Sequence, residues 1–141
     1  MYLVEILTAE PPGGVFSTCA SRRPLLIAEA SAYPLGRAWR VMPNSVKRKF
    51  PHLQKAASCG PAWVDEQVLL SPSEVLEIWG EFSRLLALCR YEDYEYGLDP
   101  ESFMESWRLG EPEDLWRGEL EETDMILRQA IEANAWVYIS H

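Results

Sequence analysis

Tyr2, Val4 and Ile6 alternate with Leu3, Glu5 and Leu7 at the start of the chain, a period of two that predicts a strand over residues 2–7. Pro11-Pro12-Gly13-Gly14 then breaks the pattern as a turn. Residues 15–60 carry Pro24, Pro34, Pro43 and Pro51 and show no sustained amphipathic period. Short helices around 25–32 and 44–57 are the expectation there. Trp63 to Leu70 reads as a second strand. The clearest signal follows: Ser71-Pro72-Ser73-Glu74 has the form of a capping box with proline at the first helical position. Val75, Trp79, Phe82, Leu86 and Cys89 then recur at spacings of 4, 3, 4 and 3, and Ile78 and Leu85 widen the stripe. A helix over 72–91 follows, with Glu74, Glu77, Glu81 and Arg84 on its polar side. Gly80 weakens it by up to about 1 kcal/mol relative to alanine.

Asp99-Pro100 is another cap pair and predicts a short helix carrying Phe103 and Trp107, which stops near Gly110. Pro112 starts a third helix with Trp116, Leu120, Leu127, Ala130 and Ile131 on its apolar side and Asn134 at its end. Ala135 to Ile139 is a closing strand, expected to pair with residues 2–7. The fold class is therefore α+β: a small antiparallel sheet that includes the N- and C-terminal strands, covered by about three main helices. With 141 residues the chain is expected to be a single domain, 1–141.

Charge changes this picture. The net charge is −9, but residues 1–60 hold three acids and eight bases whereas 61–141 hold nineteen acids and five bases. Within 92–122, twelve acids face only Arg108 and Arg117. An excess of carboxylates excludes non-specific nucleic-acid binding as a default, because phosphate contacts need lysine and arginine. No run approaches the roughly 20 apolar residues of a membrane span. The N-terminus lacks a basic region and places Glu5 inside its apolar stretch, unlike a signal peptide. Neither a nucleic-acid nor a membrane partner is expected, and the cytoplasm is the expected location. Cys19, Cys59 and Cys89 have no CxxC spacing and are read as reduced thiols, with a Cys19–Cys59 disulfide as the alternative.

Catalytic patterns are weak. No GxSxG, HExxH or phosphate-cradling glycine loop occurs. A Cys–His pair would need His52 with Cys19 or Cys59; a surface His52 beside Lys49 and Lys55 is the simpler reading. Asp93, Glu95 and Asp99 do not have EF-hand spacing, and Glu113-Asp114 and Glu121-Glu122 are helix neighbours that diverge. No metal, cofactor or catalytic residue is expected. Arg117–Glu121, Asp124–Arg128 and Arg128–Glu132 are all spaced i,i+4, so part of the acidity is a locally paired helix face.

The stretch Tyr91-Glu92-Asp93-Tyr94-Glu95-Tyr96 alternates tyrosines with acids. Tyrosine offers a large contact area with few rotatable bonds, and acids around it would speed encounter with a basic partner. The plainer alternative is that these tyrosines cover the end of the 72–91 helix. Glu92, Asp93, Tyr94, Glu95, Tyr96, Asp99, Glu111, Glu113 and Asp114 form the expected partner-binding set.

Leu69-Leu70-Ser71-Pro72-Ser73-Glu74, the Tyr91–Tyr96 loop, Gly97-Leu98-Asp99-Pro100 and the closing run Ala133 to Ser140 together resemble the small acidic immunity proteins of bacterial toxin–immunity pairs. That resemblance covers residues 61–141. It implies a cytoplasmic, non-enzymatic inhibitor that docks on a cognate toxin, often a basic nuclease. The basic segment 37–55 suits that picture only if it faces elsewhere or pairs internally. The alternatives are a small carboxylate-dependent hydrolase and a homo-oligomeric structural subunit, such as a homodimer.

Overall fold

The computed structural model describes residues 2–32, 47–56, 63–91 and 113–141, with side chains as far as Leu85 in one long helix and from Glu121 in the other. Four strands, β1 (Tyr2–Leu7), β2 (Leu26–Ala32), β3 (Gln67–Leu70) and β4 (Trp136–Ser140), form a fully antiparallel sheet in the order β2-β1-β4-β3. The N-terminal strand pairs with the C-terminal one as expected, Val4 opposite Ile139 and Ile6 opposite Val137. Two one-turn helices, α1 (Cys19–Arg22) and α2 (Leu53–Ala56), accompany two twenty-residue helices, α3 (Pro72–Tyr91) and α4 (Glu113–Glu132). The α+β class is thus observed. The predicted helix after Asp99-Pro100 lies outside the described residues.

One face of the sheet carries the core. Val4, Ile6, Val68, Leu70, Val137 and Ile139 meet Val75, Ile78, Phe82 and Leu85 of α3 and Leu127 and Ala130 of α4. Phe50 and Leu53 insert into the same cluster, so the segment 47–56 is anchored on the body of the fold. α3 lies over β4, and α4 reaches β2. Burial on this scale supplies the main driving force, about 1.5–3 kcal/mol for each large apolar side chain.

Both long helices end as their sequences direct. The Glu74 N–H donates to Ser71 Oγ at 3.3 Å, capping α3. The Ser71 hydroxyl in turn donates to Glu74 Oε1 at 3.0 Å, a side-chain closure in place of the usual bond to the cap backbone. α4 closes in a Schellman arrangement: Ala135 N–H donates to Ala130 O at 2.9 Å and Asn134 N–H to Ile131 O at 3.0 Å. Asn134 takes the required left-handed conformation, φ 49°.

Three expectations are corrected. Residues 26–32 form strand β2 rather than a helix. Their alanine content favours a helix, but Ala28 and Ala32 recur at even spacing and turn toward the core, and pairing with β1 overrides propensity. The expected strand 63–70 is only half a strand. Val64 and Gln67 exchange backbone hydrogen bonds of 2.8 and 3.0 Å around a two-residue turn in which Asp65 and Glu66 both have positive φ. Glu81, placed on the polar side of α3, is only 5% exposed; its Oε2 accepts from the Leu53 N–H at 2.9 Å and caps α2.

Candidate interaction surface

The acidic stretch reaches the described structure at the start of α4. Glu113 and Asp114 are the first two residues of that helix, where negative charge complements the helix dipole; their side chains are not described. Glu92, Asp93, Tyr94, Glu95, Tyr96, Asp99 and Glu111 lie outside the described residues. Two turns further along α4, Glu121 and Glu122 are exposed, as is Glu132 near its end.

Asp124 and Arg128 do form the expected i,i+4 pair, with Arg128 Nε 2.8 Å from Asp124 Oδ2. The pair is not a solvated one throughout. Asp124 is 8% exposed, whereas the Arg128 side chain reaches solvent and sets its guanidinium 5.5 Å from the Trp79 ring centre. Asp124 therefore belongs to the seam between α3 and α4 rather than to the outer acidic face.

The described part of the basic segment, 47–55, packs against a different flank of α3. His52 Nδ1 lies 3.1 Å from Glu77 Oε2, without hydrogen-bond alignment, and Lys47, Arg48, Lys49 and Lys55 belong to the same segment. Glu77 and Glu81 point α3 toward this segment, while Trp79 points it toward Arg128. Two residues along a helix differ by about 200°, so α3 stands between the basic segment and α4.

The opposite face of the sheet holds a buried polar cluster that sequence reasoning missed. The connection between β1 and β2 folds back over that face, closed by a Thr8 N–H to Leu25 O bond of 2.8 Å. Gly13 and Gly14, at φ 89° and 60°, supply its sharp turn. From it Arg22 reaches in: Nε donates to Glu5 Oε1 at 3.1 Å, Nη1 donates to Ser17 O and Oγ, and the guanidinium stacks 3.9 Å from the Tyr138 ring centre. Tyr138, opposite Glu5 in the β1–β4 pairing, is 1% exposed. Its hydroxyl contacts both Val15 O, at 3.1 Å, and the Gln67 side-chain amide. One O–H can donate to a single carbonyl, so both contacts are satisfied when the phenol donates to Val15 and the Gln67 amide turns its NH₂ to the phenol oxygen. Burial pushes the Tyr138 phenol above its ordinary value of 10.0; Arg22 opposes that rise and Glu5 adds to it.

The cluster's chemistry is that of a clamp. Its carboxylate is held by an arginine and its phenol is saturated with partners. The sequence signal was Glu5 itself, a charge in the middle of an apolar strand. Cys19 is an exposed free thiol at the first turn of α1. No group of histidine, cysteine and carboxylate side chains able to hold a metal occurs among the described residues. No described helix is long and apolar enough to cross a membrane. No family model, no curated protein and no solved structure matches the chain.

Proposed function

We propose that the chain is a non-enzymatic acidic binding protein, an immunity-type inhibitor that docks on and neutralises a basic protein partner. The observation that carries this reading is the run of twelve acids against two bases over 92–122, preceded by Tyr91 and interleaved at its start with Tyr94 and Tyr96. Carboxylates present the same acceptor geometry to lysine and arginine as phosphates do, so such a surface can occupy a cleft built for phosphates. The placement of the described bases supports it. Arg22 is engaged by Glu5 beneath the sheet, and the 47–56 segment docks on the flank of α3 turned away from α4. The described part of the basic segment, 47–55, thus meets α3 through His52 and Leu53.

The test is affinity capture from the native host at low salt, followed by binding measurements on the recovered protein. The expected partner is basic, and its association rate falls as salt rises. Changing Glu92, Asp93 and Glu95 together to lysine lowers that rate by about 10-fold or more. An association rate indifferent both to salt and to this charge reversal overturns the reading.

A further inference from the structure

We draw no further inference here: the strongest candidate, the seam between α3 and α4 where Trp79 Nε1, Ser83 Oγ and Asp124 Oδ1 are buried without hydrogen-bond partners, carries nothing because no contact draws these three atoms to a common point and nothing in the structure shows what covers them.

Discussion

Removing Arg22 should unfold this protein more readily than any surface change. The Arg22 and Glu5 side chains are 8% and 4% exposed, and their N–O separation is 3.1 Å. Arg22→Met preserves much of the aliphatic volume but leaves the Glu5 carboxylate buried with no counter-charge. Glu29, its neighbour across the β1–β2 pairing, then adds a like charge. Breaking one side of a buried pair costs about 3–5 kcal/mol. Loss of the guanidinium over Tyr138 lies partly within that figure, at about 0.5–2 kcal/mol. Glu5→Leu should cost a similar amount, because it strands the arginine instead. The double variant is the informative one. With both charges gone neither is left uncompensated, and replacement of a buried pair by apolar groups is often close to neutral. Ser17 O still loses its donor, so the double variant should sit about 1–3 kcal/mol below the parent rather than at the 6–10 kcal/mol sum of the singles. Urea unfolding followed by far-UV circular dichroism gives all four free energies. Single variants that each cost under about 1 kcal/mol, or a double variant equal to the sum, would refute the view that this pair is a desolvated clamp.

Three other outcomes are expected. The Tyr138 phenol titrates higher in the folded state than in the unfolded chain, so the folded state holds its proton longer; that stability is complete below pH 10.0 and is lost as pH rises through the folded value. Comparing urea midpoints of the parent and Tyr138→Phe from pH 9 upward checks this, and parallel curves would contradict it. Ser71→Ala removes the cap of α3 and should cost about 1 kcal/mol, read as a lowered melting temperature, with restoration by Ser71→Asp. Glu66→Gly should stabilise the Val64–Gln67 turn by about 1 kcal/mol, since glycine takes φ 64° without strain. The exposed Glu66–His141 contact at 3.7 Å contributes little against that gain, so a lowered melting temperature would show that the turn conformation is not strained.

What the sequence made legible were the elements whose local signals agree with their packing. The helix 72–91 combines a serine cap, a proline at its first position and an apolar stripe, and β1 and β4 combine alternation with their place at the chain ends. The third helix could be ended at Asn134 because few residues other than glycine and asparagine tolerate its conformation. β2 was hidden because alanine is the best helix former, and its strand identity rests on pairing with β1. Asp65 and Glu66 were hidden because two-residue turns of this kind usually announce themselves with asparagine and glycine. The roles of Glu5, Glu81 and Asp124 were illegible for a common reason: a buried carboxylate is recognisable only once its partner is known. Those partners are Arg22, the Leu53 amide and Arg128. The candidate surface was legible as charge and as tyrosine spacing, which describe composition rather than shape.

The width of α3 compares directly with the distance over which salt screens charge. A helix with its side chains is about 10–12 Å across, whereas the Debye length at 0.15 M salt is about 8 Å. His52 and Leu53 set the lysine-bearing segment against α3, and a charge held a full helix width from α4 lies more than one screening length from it. At physiological salt, Lys49→Glu and Lys55→Glu together should leave the association rate with a basic partner within about two-fold, while Glu113→Lys with Asp114→Lys should lower it by about 10-fold. At 0.01 M salt the screening length grows to about 30 Å, and the added carboxylates at 49 and 55 should then speed association as part of the whole protein's field. Stopped-flow association at the two salt concentrations separates these cases. If the lysine variants change the rate at 0.15 M salt as strongly as the acid reversals do, the basic and acidic segments act on the partner as one mixed surface. A field organised by α3 into two sides would then be the wrong description.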